Sequence, residues 1–265
     1  MKGDLETVDN QKIAIVSGAA QGMGYEVMRA LACEGHIVIG IDKQEEKLQI
    51  VKSDLQKKGI EVETFYADVT DSLGIETVVD YVEKKYKKID VLVNVAGVLS
   101  VGEITAIDEH EWERTFAINT TGVFNLSKAV CKRMKEKQAG VIITVSSNAA
   151  TVPRTSMAAY CSSKAASLMF TKCLGLEMAK YNIRCNIVSP GATDTEMQKA
   201  FWESGGSMEQ GIRGMPEEYR VGIPLRKIAN TSDIADAILF LISDRAHHIT
   251  MNNIVVDGGA TLGVQ

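Results

Sequence analysis

Seven short apolar segments rich in Val and Ile recur along the chain. They are KIAIVS, HIVIGID, VETFYAD, IDVLVNV, GVIITVS, IRCNIVS and NNIVVD, at residues 12–17, 36–42, 62–68, 89–95, 140–146, 183–189 and 252–257. Runs such as IAIV and VIITV are apolar without alternation, which is typical of strands covered on both faces. Because longer amphipathic segments separate them, the pattern predicts an α/β fold with a seven-stranded parallel sheet, doubly wound, with helices on both faces.

The segments between these strands have the pattern of surface helices, with Leu, Ile and Val at spacings of three and four and Lys and Glu opposite them. The longest predicted helices cover 108–136 and 158–180. The alternation of strands and helices breaks at about 196–228, where Gly, Pro, Met and Trp occur together. We expect a single domain over 1–265, in which this segment is a lid or a substrate insertion.

Composition and charge exclude several classes of function. The chain has 265 residues and a net charge of −5, so it provides no basic surface for nucleic acid. No segment approaches the roughly 20 apolar residues of a membrane-spanning helix. The start of the chain is polar and acidic, unlike a secretion signal, and the five cysteines and four histidines show no metal-ligand spacing. We expect a cytoplasmic protein that binds no metal, nucleic acid or membrane.

Glycines follow the first predicted strand and precede a helical pattern, in the segment SGAAQGMG at residues 17–24. At such a junction glycines allow a tight turn, bring backbone N–H groups close to a pyrophosphate and present a helix N-terminus to its charge. The spacing GxxxGxG differs from the usual GxGxxG, and a plain strand-to-helix turn is the alternative. The order of strand, glycines and helix favours a dinucleotide-binding loop. Its predicted members are Gly18, Gln21, Gly22, Met23 and Gly24.

An acidic residue, Asp42, ends the second predicted strand at the edge of the sheet where open α/β folds bind ligands. A carboxylate there accepts hydrogen bonds from the adenosine ribose and repels a 2′-phosphate, which favours NAD over NADP. A solvated acid at a strand end is the alternative, and neighbouring Lys43 leaves the choice of coenzyme open. Together with the glycine loop, Asp42 predicts a Rossmann-type domain.

The third and fourth predicted strands end at the same edge of the sheet. Asp68, followed by Val69, is expected to reach the adenine. Asn94, Ala96 and Gly97 belong to the segment NVAG, whose small residues allow a ring or ribose to approach the backbone. All five residues are therefore predicted to bind the cofactor.

A tyrosine and a lysine, Tyr160 and Lys164, are four residues apart in a helical pattern, so they share one helix face. A phenol with a pKa of about 10 is a poor base at neutral pH, and an adjacent ammonium group lowers that pKa by favouring the phenolate. Tyr160 then becomes usable as a general acid/base group. Because a tyrosine and a lysine four residues apart also occur by chance, the pair indicates catalysis only together with other motifs.

Together these motifs resemble the short-chain dehydrogenase/reductase family over nearly the whole chain. They include the glycine motif at 17–24, with serine where threonine is more usual, and the Asn-x-Ala-Gly motif at 94–97. Further matches are Asn119 in FAINTTG, Ser147 thirteen residues before the tyrosine, Tyr160 and Lys164, and the nicotinamide-covering stretch with Pro190, Gly191, Thr193 and Thr195. The resemblance implies an NAD-dependent dehydrogenase.

The resemblance also implies a role for each catalytic residue. Tyr160 exchanges the proton of the substrate hydroxyl, and Ser147 orients and polarises that oxygen, with Ser146 as the weaker candidate. Lys164 binds the nicotinamide ribose and lowers the pKa of Tyr160, while Asn119 holds a water that links Lys164 to solvent. The hydride chemistry belongs to the nicotinamide. The implied assembly is a homotetramer built partly on the two longest helices.

Stretches outside the general motifs, at 147–160, 184–202 and 254–263, resemble members of the family that act on an anionic cyclohexadiene diol. The implied reaction is oxidation of one ring hydroxyl to a ketone, which tautomerises to a catechol for catecholate siderophore biosynthesis. Arg154 is the candidate for the substrate carboxylate, and a surface arginine is the alternative. Met197, Gln198 and Trp202 are candidates to cover the ring or else ordinary packing residues, and Arg213 is the next candidate cation.

Two other functions are left open. A short-chain reductase could use NADPH on 3-oxoacyl thioesters, sugars or other secondary alcohols, but Asp42 and the lack of an arginine after the glycine motif argue against it. A dinucleotide-binding regulator could keep the fold without catalysis. The joint presence of Asn119, Ser147, Tyr160 and Lys164 argues against that function.

Overall fold

The computed structural model describes residues 11–203 and 206–264, and its centre is a seven-stranded parallel sheet. The strands are β1 (Ile13–Ser17), β2 (Ile37–Asp42), β3 (Glu63–Tyr66), β4 (Val91–Asn94), β5 (Gly140–Val145), β6 (Ile183–Pro190) and β7 (Asn253–Val256). Their order across the sheet is β3-β2-β1-β4-β5-β6-β7. Each predicted strand is confirmed, with ends that differ by at most two residues.

Helices cover both faces of this sheet. They are α1 (Gly22–Cys33), α2 (Glu45–Lys57), α3 (Ser72–Tyr86), α4 (Glu109–Phe116), α5 (Gly122–Lys137), α6 (Ala158–Met178), α7 (Glu196–Glu203), α8 (Met208–Arg213) and α9 (Thr231–Ile242). Ala14 and Val16 of β1 belong to a core with α1, α2 and α9, whereas Ile13 and Ile15 belong to a core with α3, α5 and α6. Successive strand residues point to opposite faces, and both faces are covered, so the strand sequence is apolar throughout.

The predicted helix 108–136 is wrong as one regular helix. Helix α4 ends at Phe116, a π-helical turn follows at Ala117–Thr121, and α5 then begins at Gly122. Such turns insert an extra residue and often occur at functional sites. The predicted helix 158–180 matches α6, which is followed by a 3₁₀ turn at Ala179–Tyr181.

The sheet order changes direction at β1, which has β2 on one side and β4 on the other. Helices that cross to the two sides leave a crevice at the carboxyl ends of these strands, which is where open α/β sheets bind ligands. The segment 196–228 contains α7, α8 and a 3₁₀ turn at Pro216–Glu218, and several of its residues line this edge. No helix within 11–203 and 206–264 has the length and apolarity needed to cross a membrane.

Candidate active site

The loop between β1 and α1 packs so closely that a side chain is excluded at Gly18, against the end of β4, and at Gly24, against Gly18. Gly18 has a φ of +71°, and a Cβ at this position would lie 2.8 Å from the backbone nitrogen of Ala96. A Cβ on Gly24 would lie 2.0 Å from the carbonyl oxygen of Gly18. The hydroxyl of Ser17 accepts hydrogen bonds from the backbone N–H groups of Val95 and Ala96, at 3.1 and 3.2 Å. Serine thus supplies the hydroxyl that threonine supplies more usually.

The N-terminus of α1 opens onto this loop. Within the described residues, Gln21 at the N-cap makes no capping hydrogen bond with its side chain, and no acidic residue lies in the first turn. The first N–H groups of the helix therefore keep their capacity to bind an anion, and the helix dipole favours one. A backbone cradle beside an uncapped helix N-terminus fits the pyrophosphate of a dinucleotide.

Asp42 also has a structural role, which its position in the sequence does not reveal. Its carboxylate accepts hydrogen bonds from the backbone N–H groups of Ala20, at 3.1 Å, and Gln44, at 2.9 Å. A carboxylate has about four acceptor positions, so two remain for ribose hydroxyls. Asp42 therefore links the glycine loop to β2 and still faces the cleft. The Nζ of Lys43 lies 3.9 Å from a carboxylate oxygen of Asp68, so the lysine has an acidic partner.

One cleft brings together most of the residues predicted to bind the cofactor. Those that line it are Gly18, Gln21, Gly22, Met23, Gly24, Asp42, Lys43, Asp68, Val69, Ala96, Gly97 and Thr195. An adjoining pocket is lined by Pro190, Gly191 and Thr193 together with Thr195. The cleft and the pocket share Met23, Leu99, Thr195, Met197 and Phe201. A dinucleotide in the cleft would therefore present its far end to the pocket.

Asn94 lies beneath the cleft with its side chain directed into the fold, so its binding of the cofactor stays a prediction that concerns the backbone of its segment. The residue is 2% exposed, and its Nδ2 donates a hydrogen bond to the hydroxyl of Ser127 at 3.1 Å. Ser127 belongs to α5, so this bond joins β4 to the helix that follows the π-helical turn. Asn94 therefore supports the segment above it, where Ala96 and Gly97 reach the cleft.

Ser147 and Tyr160 line the same pocket. Ser147 follows β5 and caps the 3₁₀ turn Asn148–Ala150, where its Oγ accepts a hydrogen bond from the N–H of Ala149 at 3.1 Å. Ser146 is engaged elsewhere, because its hydroxyl donates to the carbonyl oxygen of Lys164 at 3.0 Å. Both serines line the pocket, and the hydroxyl that is not committed to the backbone of Lys164 is that of Ser147.

Lys164 and Asn119 lie together below Gly97. A Cβ at Gly97 would be 3.2 Å from the Nζ of Lys164 and 3.1 Å from the Oδ1 of Asn119. Lys164 is 5% exposed and donates to the carbonyl oxygen of Val145 at 3.0 Å. Asn119 exchanges hydrogen bonds with both backbone groups of Val98, at 2.8 and 2.9 Å. The π-helical turn holds Asn119 at this depth, and burial lowers the pKa of Lys164 to about 8.

The phenol of Tyr160 does not have the lowered pKa that its spacing from Lys164 predicts. Burial raises the pKa of Tyr160, and the side-chain hydrogen bond with Ser147 offsets only part of that rise. The Nζ of Lys164 lies 6.0 Å from the centre of the phenol ring, and the lysine is itself poorly solvated. Desolvation of the phenol therefore sets the direction of its pKa change.

Arg154 lines the pocket of Ser147 and Tyr160, as do Met197 and Gln198. Its guanidinium is partly buried, and burial is the first cause that lowers its pKa. Over 11–203 and 206–264, no carboxylate forms an ion pair with it.

Two residues predicted for this pocket lie elsewhere. Trp202 lines a neighbouring cavity. Arg213 pairs with Glu209 at 2.9 Å on the exposed side of α8, because the two residues are one helical turn apart there. Arg220 was missed by the sequence reasoning, yet it lines the pocket. A local turn at Met215–Arg220 carries it, and only the packing of that turn against the rest of the chain brings the arginine to the pocket.

The family model for short chain dehydrogenases matches residues 12–205. The chain belongs to this family. It is therefore a dehydrogenase whose cofactor is a nicotinamide dinucleotide, and the predicted family membership is confirmed. No cluster of three or more His, Cys, Asp or Glu side chains suited to a metal ion occurs in the described part of this short-chain dehydrogenase.

Similar proteins of this family share most of the chain. It is 56% identical over 96% of its length to the 2,3-dihydro-2,3-dihydroxybenzoate dehydrogenase of Bacillus subtilis (strain 168), with 97% of that protein covered. It is 41% identical over 94% of its length to the enzyme of the same name from Escherichia coli (strain K12), with 96% covered. A solved structure of an actinorhodin polyketide ketoreductase variant with NADPH superposes with a TM-score of 0.88 at 31% identity, covering 95% of this chain and 98% of that one.

Proposed function

We propose that this dehydrogenase oxidises 2,3-dihydro-2,3-dihydroxybenzoate to 2,3-dihydroxybenzoate with NAD, as a step of catecholate siderophore biosynthesis. The observation that carries the proposal is the guanidinium of Arg154, which lacks a carboxylate partner among the described residues and lines the pocket of Ser147 and Tyr160. A cation so placed suits the carboxylate of a substrate whose hydroxyl meets those two side chains. The names of the relatives from B. subtilis and E. coli support the same substrate.

The proposed mechanism removes a proton from one substrate hydroxyl and a hydride from the carbon that bears it. Ser147 donates a hydrogen bond to the substrate oxygen and orients it, while Tyr160 accepts the proton of that hydroxyl. NAD, when bound, supplies the acceptor for the hydride. The carbon thereby loses two electrons and the oxygen its proton, which leaves a ketone. A ring proton then moves to that oxygen by tautomerisation, and the aromatic catechol results.

Residues that line the cleft are also proposed to hold the cofactor. The glycine loop and the start of α1 would bind the pyrophosphate, and Lys164 would donate to the nicotinamide ribose below Gly97. Asn119 would order a water between Lys164 and solvent. Asp42 would accept from the adenosine ribose hydroxyls, and Lys43, which faces Asp68, adds little attraction for a 2′-phosphate. NAD is therefore the proposed coenzyme.

The proposed assembly is a cytoplasmic homotetramer. Helices α5 and α6 expose apolar side chains, among them Phe124 at 43%, Met169 at 56% and Leu176 at 71%. Exposed apolar surface on two adjacent helices is typical of contacts between copies of a chain. The mass of the particle in solution, measured by light scattering, tests this assembly directly.

A substrate panel tests the proposed function. The purified protein should form NADH with the dihydrodiol acid much faster than with neutral cyclic alcohols, sugars or 3-hydroxyacyl thioesters, and NAD should be preferred over NADP. Both follow from the cation at the substrate end of the site and the carboxylate at the ribose end. Faster turnover of acyl thioesters or sugars with NADP would favour the general reductase. Binding of NAD without turnover of any alcohol would favour the regulator.

Replacing Arg154 with leucine should raise KM for the dihydrodiol acid about tenfold or more, since a charged hydrogen bond contributes roughly 1.5–3 kcal/mol. kcat should fall as well, because the carboxylate contact also sets the orientation of the ring. Steady-state kinetics with the acid and with a neutral cyclic diol measure both effects. The neutral diol should be oxidised equally by both proteins, and Arg213→Leu, on the exposed side of α8, is the matched control. Equal losses for the two substrates would mean that Arg154 supports the loop.

A further inference from the structure

A second arginine reaches the proposed substrate pocket from the segment after β6. Arg220 lines the pocket together with Arg154, Ser147 and Tyr160. The two arginines also line the neighbouring cavity beside Trp202, so both guanidinium groups lie where the two cavities meet. Two cations from distant parts of the chain therefore border one small volume next to the catalytic hydroxyls.

The backbone around Arg220 holds this residue in a tight turn. Met215 and Arg220 exchange two backbone hydrogen bonds, at 2.8 and 3.0 Å, around the 3₁₀ turn Pro216–Glu218. Gly214 and Gly222 flank the turn with φ angles of +95° and +84°. A Cβ on Gly214 would lie 2.6 Å from the carbonyl oxygen of Arg220, so the two strands of the turn touch. The position of Arg220 is thus set by backbone contacts, independently of any ion pair.

The two arginines lie close enough to act on each other, and each also has an acidic group nearby. Arg220 pairs with Glu218 at 3.6 Å, and Glu218 lines the neighbouring cavity together with both arginines. The acidic group that acts on Arg154 is Asp257, whose carboxylate already accepts hydrogen bonds from Asn148, Gly259 and Thr261. Burial and the charge of Arg220 both lower the pKa of Arg154, which means that the two guanidiniums repel each other. Like charges in a partly desolvated pocket are stabilised by an anion bound between them.

We propose that Arg220 binds the substrate carboxylate together with Arg154, so that the turn at 215–220 contributes half of a two-arginine anion site. This inference rests on the proposed function and adds the residue that selects carboxylated ring alcohols. One oxygen of the carboxylate would face each guanidinium, and the ring would extend from there toward Ser147 and Tyr160. A neutral diol would leave the two cations facing each other and would lose this selection.

Kinetics of Arg220 variants test the site. Arg220→Leu should raise KM for the dihydrodiol acid about tenfold or more and leave a neutral cyclic diol unaffected. Arg220→Lys keeps the charge and should recover part of the loss. Glu218→Gln removes the ion pair and leaves the arginine, so its KM should stay close to that of the native protein or fall. Arg213→Leu, in the same segment and paired with Glu209, should match the native protein.

A binding measurement separates this inference from the proposed function. Calorimetry with benzoate and with 2,3-dihydroxybenzoate should show weaker binding to Arg220→Leu by about tenfold, whichever alcohol the enzyme oxidises. If the native protein did not oxidise the dihydrodiol acid, the proposed function would be wrong. The benzoate titration would still test whether Arg220 belongs to an anion site. Unchanged benzoate affinity in Arg220→Leu overturns the inference. So does a rise in KM for Glu218→Gln equal to that for Arg220→Leu, which would assign the arginine to the shape of the turn.

Discussion

Replacing Tyr160 with phenylalanine should lower kcat by ~10²–10⁴-fold or more, while NAD still binds. The change removes the hydroxyl that accepts the substrate proton and keeps the ring in the pocket with Ser147. Initial rates of NADH formation give kcat, and calorimetric titration with NAD gives the affinity. Tyr66→Phe, at an exposed position of β3, is the matched control and should behave as the native protein does. A near-normal kcat in Tyr160→Phe would reject the assignment.

The raised pKa of Tyr160 also predicts how the reaction depends on pH. Oxidation needs the phenolate as base, and burial keeps the phenol protonated at neutral pH. Because the phenolate fraction rises about tenfold for each pH unit below the pKa, kcat/KM for oxidation should increase from neutral to alkaline pH. A profile that is flat over this range would show that proton transfer from the hydroxyl does not limit the reaction.

Replacing Lys164 with methionine should lower kcat by about 10²-fold or more and at the same time stabilise the protein at neutral pH. The folded-state pKa of about 8 lies below the ordinary value of 10.5, so the ammonium costs free energy in the folded protein. The difference, 10.5 minus 8, corresponds to roughly 3 kcal/mol at about 1.36 kcal/mol for each pKa unit. Loss of the hydrogen bond to Val145 offsets about 1 kcal/mol.

The pH dependence of this stabilisation follows from the direction of the pKa change. Below pH 8 the lysine is protonated in both the folded and the unfolded chain, so the full desolvation cost is present. Between pH 8 and 10.5 the folded protein releases its proton first, and the cost disappears. Melting temperatures of Lys164→Met should therefore exceed the native ones most below pH 8 and converge with them above about 10. Lys172→Met, on the same helix, is the control, and a gain independent of pH would contradict the burial argument.

Much of the fold could be predicted from the sequence because the signals are local. Apolar runs without alternation, separated by amphipathic segments, predict buried parallel strands, and all seven occur where expected. The glycines at 18 and 24 could be identified in the same way, because their backbone contacts exclude a side chain whatever the rest of the site contains. The order of the motifs along the chain then indicated which strand ends meet at the cleft.

Other features of the site depended on residues that are distant in the sequence. Asn119 lies in a π-helical turn, although the sequence of 108–136 predicted one continuous helix. Asn94 points to α5 and away from the cleft, and the carboxylate of Asp42 accepts a hydrogen bond from the N–H of Ala20, 22 residues earlier. Such contacts depend on how the elements pack, for which one sequence carries no pattern.

The sequence by itself determined the strands, the glycine loop, the acidic strand end and the Tyr160–Lys164 pair, because periodicity and backbone constraints act over a few residues. Only the tertiary structure decided the direction in which the pKa of Tyr160 changes. The spacing in the sequence specifies which groups are neighbours, whereas burial sets the free energy needed to ionise them. The tertiary structure also decided that Arg220, and not Arg213, lines the pocket of Ser147 and Tyr160. The direction of a long side chain is set by the turn that carries it and by the charges it meets after folding.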